Sequence, residues 1–139
     1  LDMPCKNKVM IVNDSSAIRK YLSEIILSFG DCEICGSFSL GTVALEYMKR
    51  KKPDIIILDL EMPLMDGLTF LENLPKDNKI PVTIMSVYVN EQTKILQIAM
   101  DLGATESIAL PKNTSEDEMI KFSTNLHSKI IKSSLCQIF

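Results

Sequence analysis

Acidic and hydroxyl side chains follow three short apolar segments of this sequence. Asp59 comes directly after Ile55–Leu58, and Asp14 lies two residues beyond the segment Lys8–Val12. Ser86 ends a third segment of the same kind. Short apolar runs fit strands that are buried on both faces of a parallel sheet. Because the carboxyl ends of parallel strands meet at one edge, we expect these side chains to lie close together.

Two kinds of chemistry fit such a cluster. Carboxylates provide the hard oxygen ligands that Mg²⁺ takes, and the ion often holds a phosphate oxygen as well. A carboxylate can also attack phosphorus and form an aspartyl phosphate. Both roles converge on Asp59. Taken singly, Asp14 could cap a helix and Ser86 could be an ordinary strand-end serine, so the prediction depends on their joint position.

The elements that must position these residues follow from apolar periodicity and capping signals. Strands are predicted at residues 8–12, 32–38, 55–58, 81–86 and 107–110. They alternate with five helices, at about residues 16–29, 40–52, 68–74, 91–102 and 115–132. The predicted N-caps are Ser15 or Ser16 for the first helix, Ser39 for the second and Ser115 for the last. The predicted inward stripe of the fourth helix is Ile95, Ile98, Ala99 and Leu102. This alternation indicates one doubly wound α/β domain.

Composition narrows the class of protein. The 139 residues are 46% hydrophobic and 24% charged, with a net charge of −3. These values are typical of one globular domain and do not favour binding to nucleic acid or anionic lipid. No apolar stretch is long enough to span a membrane and no signal peptide opens the chain, so a cytoplasmic protein is expected. Residues 1–7 are expected to be an appended or flexible segment, and residues 133–139 a tail or the start of a linker.

Other reactive side chains have simpler explanations. Cys32 and Cys35 have C-x-x-C spacing, but residues three apart on a strand point to opposite faces, so all four cysteines are interpreted as structural thiols. The basic run Lys49–Lys52 is interpreted as solvated charge at a helix C-terminus. His127 is the only histidine, and no G-x-S-x-G motif provides a nucleophile for it.

Over residues 8–132 the chain resembles the receiver domains of two-component response regulators. The matching segments are VMIVNDSS, IIILDLEMPLMDGLTFLENL, PVTIMS and DLGATESIALPK. The central segment and the strand-end serine resemble most the receiver of chemotaxis methylesterases. The resemblance implies a flavodoxin-like sheet of strand order 2-1-3-4-5, with no catalytic centre of its own.

The resemblance also implies roles for individual residues. Asp59 would accept a phosphoryl group from a histidine kinase. Mg²⁺ would be held by Asp14, Asp59 and the backbone carbonyl of Glu61, with Asn13 acting through a bound water. The hydroxyl of Ser86 would turn toward the phosphoryl group and signal to a downstream protein or attached effector domain.

Several positions depart from the family's pattern. Asn13 stands where the first member of an acid pair is usual, and Val87 where a small residue is usual. Leu110 occupies the position of the phosphoryl-binding lysine, and Ser107 that of the switching aromatic. Lys112 is the candidate to replace the missing lysine, since it would share Leu110's side of an extended strand.

Three functions therefore remain open from the sequence. The domain is a phosphoacceptor that switches, an interaction module that no longer depends on phosphorylation, or the regulatory part of a chemotaxis methylesterase. The face expected to contact partners includes Gln92, Ile95, Ser107 and the last helix. Because it lacks the aromatic switch, this face is expected to change little on activation.

Overall fold

A computed structural model describes residues 6–60, 67–86 and 93–135. The strands are β1 (Asn7–Val12), β2 (Cys32–Phe38), β3 (Ile55–Asp59), β4 (Val82–Ser86) and β5 (Glu106–Ala109). The helices are α1 (Ser16–Ser28), α2 (Gly41–Met48), α3 (Gly67–Glu72), α4 (Thr93–Asp101) and α5 (Glu116–Ser133). All strand pairs are parallel, in the order β2-β1-β3-β4-β5. The predicted doubly wound fold and strand order are confirmed.

Two apolar layers enclose the sheet. On one face, α1 and α5 pack through residues that include Leu22, Ile26, Phe122 and Leu126. On the other face, α2, α3 and α4 contribute residues that include Ala44, Met48, Phe70 and Ala99. The segment Ile55–Leu58 is at most 1% exposed, as expected of a central strand between two helical layers. This double burial explains why its sequence is continuously apolar.

Helix starts agree with the sequence at two of three predicted caps. The Ser15 hydroxyl accepts a hydrogen bond from the backbone N–H of Ile18 at 3.2 Å, and Ser115 accepts one from Glu118 at 3.3 Å. The predicted cap Ser39 is wrong, because α2 begins one residue later and its N-cap is Leu40. The leucine provides the extended backbone conformation of an N-cap without an oxygen acceptor.

The inward face of α4 differs from the prediction. Ile95 and Ile98 are 39% and 46% exposed, whereas Ala99 is fully buried. Leu96 and Leu102 pack beside Ala99 against the core. The helix carries two overlapping apolar stripes, and both have helical spacing. Periodicity alone could not decide which stripe faces the sheet.

Strand β2 contains a β-bulge at Cys35. Ile34 pairs with Val9 of β1, but the next residue of β1 pairs with Gly36, which leaves Cys35 as the extra residue. The predicted separation of the cysteine side chains is confirmed, since Cys32 belongs to the apolar layer under α1 and α5 while Cys35 packs on the opposite layer. Strand β1 starts at Asn7, one residue earlier than predicted.

Candidate functional site

The carboxyl end of the sheet brings the predicted site residues onto neighbouring strands. Asp59 is the last residue of β3 and is partly exposed. On one side β1 pairs with β3 up to the pair Val12 and Leu58, so Asn13 lies beside Asp59 just beyond it. On the other side Asp59 pairs with Met85, and Ser86 follows. Neighbouring strands are about 4.8 Å apart, so these tips form one cluster.

Asn13 is held tightly by the turn that leads into α1. Its side chain is 3% exposed, and its backbone N–H donates to the carbonyl of Phe38 at 3.0 Å. The Asn13 Oδ1 accepts from the backbone N–H of Ser15 at 2.9 Å, and its carbonyl accepts from Arg19 Nη1 at 2.6 Å. The carboxamide is therefore already engaged in the turn, while Asp14 beside it is exposed.

Gly67 packs against the backbone that carries Asp59. Its N–H donates to the carbonyl of Leu60 at 2.9 Å. A Cβ at this position would lie 2.7 Å from both the Asp59 carbonyl oxygen and the Leu60 Cα, closer than real contacts allow. Glycine is required here because of this close approach. From the sequence, Gly67 is expected only to be a turn residue, and nothing in the local sequence marks the contact.

Ser86 is 5% exposed at the end of β4, and its carbonyl accepts a hydrogen bond from the backbone N–H of Leu110 at 3.1 Å. Leu110 packs against the apolar layer under α1 and α5. At the position where receiver domains have a lysine ammonium group, this chain therefore has an apolar side chain that packs against the core. Lys112, the proposed replacement, is exposed.

The other predicted switch residue, Ser107, lies on the edge strand β5. Its carbonyl accepts a hydrogen bond from Lys129 Nζ, which also lies 3.4 Å from Glu106 Oε1. The backbone of β5 is thus tied to α5 at the residue where an aromatic switch would stand. Three further predicted residues, Glu61, Val87 and Gln92, lie outside the described residues.

The donor chemistry of the site suits a hard cation. Asp14 and Asp59 offer carboxylate oxygens at neighbouring strand ends, and at least Asp14 is open to solvent. Within the part of the chain that the structure describes, no group of three His, Cys, Asp or Glu side chains is arranged to hold a metal. The predicted ligand set needs only two carboxylates, because its third ligand is the carbonyl of Glu61. These residues therefore fit Mg²⁺ better than a metal that requires several side chains.

The described cysteines are unsuited to this chemistry. Burial, followed by the neighbouring Asp31, raises the pKa of the Cys32 thiol to about 12. Burial also raises the pKa of Cys35. Thiolates are the reactive and metal-binding form, so both groups are unreactive near neutral pH.

His127 lies at the opposite end of the molecule from Asp59. Its Nε2 is 2.9 Å and 3.0 Å from the two carboxylate oxygens of Asp31, and its ring stacks on Phe29 at 4.1 Å between centroids. Burial tends to raise the pKa of Asp31, but the hydrogen bonds from His127 and Cys32 and the charge of His127 outweigh it and lower the pKa. The sequence has no signal that pairs His127 with Asp31, because the two residues are 96 positions apart.

Among residues 6–60, 67–86 and 93–135, no helix is long and apolar enough to cross a lipid bilayer.

The fold and the acidic strand ends define the class of protein. The sequence profile of the response regulator receiver domain matches residues 9–123, and the chain belongs to this family.

Particular relatives are chemotaxis proteins. A protein-glutamate methylesterase/protein-glutamine glutaminase of Methylobacillus flagellatus is 37% identical over 131 residues, which cover 94% of this chain and 37% of that protein. The chain thus spans little more than a third of that relative. The response regulator domain of Thermotoga maritima CheB superposes with a TM-score of 0.80 at 29% identity, covering 92% of this chain and 96% of that one. A CheY from Borrelia burgdorferi, solved with CheX, BeF₃ and Mg²⁺, superposes with a TM-score of 0.70 at 27% identity. The match covers 88% of this chain and 90% of that one.

Proposed function

We propose that this receiver domain accepts a phosphoryl group on Asp59 from a histidine kinase, in a reaction that requires Mg²⁺. The observation that supports this most directly is the position of Asp59 at the end of the central strand, between the strand ends that carry Asn13 and Ser86. The relative solved with BeF₃ and Mg²⁺ supports the same chemistry for the family.

In the proposed reaction a carboxylate oxygen of Asp59 attacks the phosphorus atom of the donor. A new O–P bond forms and the P–N bond to the donor histidine breaks, so the electron pair of that bond stays with the imidazole and Asp59 becomes an acyl phosphate. Mg²⁺ bound by Asp14, Asp59 and the carbonyl of Glu61 would neutralise charge on the phosphoryl oxygens. The close approach of Gly67 to the Asp59 backbone would fix the strand end that carries the nucleophile.

The signalling step is proposed to be weakened. The Ser86 hydroxyl keeps the hydrogen-bond donor that a phosphoryl oxygen requires, but Leu110 provides no cation. Ser107 cannot act as an aromatic switch, and the link between its carbonyl and Lys129 stabilises the edge strand in one position. The acceptor is therefore retained while the coupling to a partner surface is reduced.

The similarity to methylesterases favours a second, compatible role. Because the chain resembles the receiver part of those enzymes, it could act as the regulatory domain of a longer protein of that kind, with phosphorylation controlling an attached catalytic domain. The packing of Leu110 favours the remaining candidate, an interaction module that works without phosphorylation.

Incubation with acetyl phosphate and Mg²⁺ tests the proposal. Intact-mass measurement should show one added phosphoryl group on the wild type and none on Asp59→Asn. Asp77→Asn is the matched control, since it makes the same chemical change at an exposed loop residue. Phosphorylation that persists in Asp59→Asn, or that proceeds equally well in EDTA, would contradict the proposed site.

A further inference from the structure

A polar cavity lies at the end of the sheet opposite Asp59. Its volume is about 560 Å³, and its lining includes Lys8, Glu33, Cys35, Tyr47, Lys51 and Lys52. The first three come from β1 and β2, and the others from the last turn of α2 and the segment that follows it. We call this the lysine cavity. It is far larger than a water site and falls within the range of small-molecule pockets.

The lysine cavity is positively charged on a protein that is negatively charged overall. Among the described residues, three lysines and only one carboxylate, that of Glu33, line the cavity. The whole chain, by contrast, has a net charge of −3. A further carboxylate, Asp54, lies nearby, and its Oδ2 accepts a hydrogen bond from the backbone N–H of Lys8 at 2.9 Å. The excess of ammonium groups at a concave surface favours an anionic ligand.

Neighbouring basic residues already have partners. Lys49 forms an ion pair with Glu46 at 3.1 Å, and the guanidinium of Arg50 lies 5.8 Å from the centre of the Tyr47 ring. Within the described parts of the chain, none of Lys8, Lys51 and Lys52 has a carboxylate oxygen within 4.0 Å, the limit for an ion pair. In the basic run Lys49–Lys52, the first two side chains thus contact residues of α2, and the last two line the cavity.

The end of α2 does not depend on the lysine side chains for capping. Backbone N–H groups of residues 49, 50 and 51 donate to the carbonyls of Glu46 and Tyr47, at 3.2, 3.0 and 3.0 Å. Two of the carbonyls at the helix end are satisfied in this way. The side chains of Lys51 and Lys52 therefore remain available for a ligand.

The remaining lining residues restrict the kind of ligand. The Tyr47 hydroxyl donates to the Cys35 carbonyl at 2.7 Å, and its ring packs against Phe38 at 5.2 Å as well as under Arg50. Phe38 and Arg50 would compete with an aromatic base for contact with the Tyr47 ring. The same hydrogen bond, together with the bulge at Cys35, blocks the edge of β2 against an added peptide strand. A compact polyanion fits the cavity better than a peptide.

We propose that the lysine cavity binds a di- or triphosphate group, recognised by Lys8, Lys51 and Lys52. Lysine ammonium groups bind phosphate oxygens as point charges, and their position on two separate elements suits an anion with several charged centres. The site is independent of phosphorylation at Asp59. It would give the domain a second ligand input at the amino end of the sheet.

Calorimetric titration with sodium tripolyphosphate, in low salt without Mg²⁺, provides the test. Lys51→Gln and Lys8→Gln should each weaken binding by about two- to fivefold, as expected for partly solvated charge contacts. Lys49→Gln is the matched control, because it removes the same charge from the same helix end but outside the cavity. Amide chemical shifts should change at Glu33, Cys35 and Lys51. Raising the salt concentration should weaken binding.

The outcomes separate the alternatives. A nucleoside triphosphate that binds as tightly as tripolyphosphate would show that only the phosphate chain is recognised, and tighter binding would identify a nucleotide; both results support the site. The proposal is wrong if Lys49→Gln weakens binding as much as Lys51→Gln, since surface charge alone would then explain it. It is equally wrong if the shifts cluster around Asp59, or if an acidic peptide binds while tripolyphosphate does not.

Discussion

The two ends of the parallel sheet use polar residues in different ways. At the amino end, side chains bond to backbone: Asp54 accepts from the N–H of Lys8 at 2.9 Å, and the Thr105 hydroxyl lies 3.1 and 3.0 Å from the N and O atoms of Val82. At the carboxyl end, acidic groups follow the strands, with Asp14 exposed and Asp59 partly exposed. The carboxyl end has such bonds too, at Asn13, but it also places two carboxylates at neighbouring strand ends.

This difference indicates that polar residues at the amino end of the sheet serve stability, whereas those at the carboxyl end serve chemistry. Hydrogen bonds between side chains and backbone at the amino end add to those of the sheet itself, and each contributes about 1 kcal/mol. Carboxylates at the carboxyl end can bind a cation and a phosphoryl group only because they are not all used in this way. Substitutions at the amino end should therefore lower the free energy of unfolding and leave phosphorylation intact. Those at the carboxyl end should mainly change phosphorylation.

The largest expected effect is that of Gly67→Ala, which tests whether the carboxyl end depends on close packing. The new methyl group would lie 2.7 Å from the Asp59 carbonyl oxygen, so the strand end must move. Overpacking of this kind costs about 1–3 kcal/mol, and phosphorylation by acetyl phosphate should fall sharply because the acceptor is displaced.

Gly103→Ala is the control for this change. Its backbone φ of +118° also makes alanine unfavourable, but nothing lies within 4 Å of its Cβ position. It should destabilise the fold to a similar degree without affecting phosphorylation, as followed by urea unfolding and intact mass. Equal loss of phosphorylation in both variants would show that Gly67 acts only through global stability.

The next largest effect is expected from Leu110→Lys, which tests whether the carboxyl end lacks a cation that it needs for signalling. Leu110→Lys restores a cation near the phosphoryl group, and a charge-assisted contact contributes about 1.5–3 kcal/mol, or roughly 10- to 150-fold in an equilibrium. We expect stronger coupling between phosphorylation of Asp59 and reorientation of Ser86, measured by amide chemical shifts with a beryllofluoride mimic. Burial of the new ammonium against the core offsets part of this gain.

Lys112→Ala is the companion variant. Lys112 is exposed and follows Pro111, so its removal should change phosphorylation little. If Lys112→Ala abolished phosphorylation while Leu110→Lys changed nothing, Lys112 would be the working cation. The domain would then be an ordinary switch with a displaced lysine.

The sequence predicted the carboxyl end better than the amino end, for a physical reason. Short apolar strands are bounded by turn residues, so the ends of β1, β3 and β4 and the residues there follow from local patterns. The contacts at the amino end join residues that are far apart in the chain. The pair Asp31 and His127 has no local signal.

The other differences between prediction and structure arise where the local sequence fits more than one packing arrangement. α4 carries two stripes with helical spacing, and only packing against α3 and the sheet decides that Ala99 rather than Ile98 is buried. The contact of Gly67 with the Asp59 backbone joins the start of α3 to the end of β3, and the residue types of the two elements do not specify it.

Thr105→Val tests the hydrogen bonds of the amino end. Valine keeps the shape of threonine but removes the hydroxyl that bonds to the Val82 backbone. The free energy of unfolding should fall by about 1 kcal/mol, as measured by urea denaturation, with no change in phosphorylation. Thr105→Ser keeps the hydroxyl and should retain most of the stability. If the serine variant were the less stable of the two, packing rather than hydrogen bonding would explain the role of Thr105.

The smallest effect is expected from Asp31→Asn, and it should depend on pH. The lowered pKa of Asp31 means that its charged form is stabilised by folding. That stabilisation is complete above the ordinary pKa of an unfolded aspartate, about 3.9, and is lost as the pH falls through the lower pKa of the folded protein. At neutral pH the variant should be less stable by about 0.2–1 kcal/mol, as for partly exposed ion pairs.

The difference in unfolding free energy between wild type and Asp31→Asn should therefore shrink as the pH falls below about 4. Asp77→Asn, at an exposed loop residue, should show little difference from wild type at neutral pH. Phosphorylation of Asp59 should be the same in all three proteins, because Asp31 lies at the opposite end of the sheet. If Asp31→Asn remained equally destabilised at low pH, the contribution of Asp31 would come from hydrogen-bond geometry and not from its charge. If it reduced phosphorylation, the two ends of the sheet would be coupled through β1 and β3, and the separation of stability from chemistry would fail.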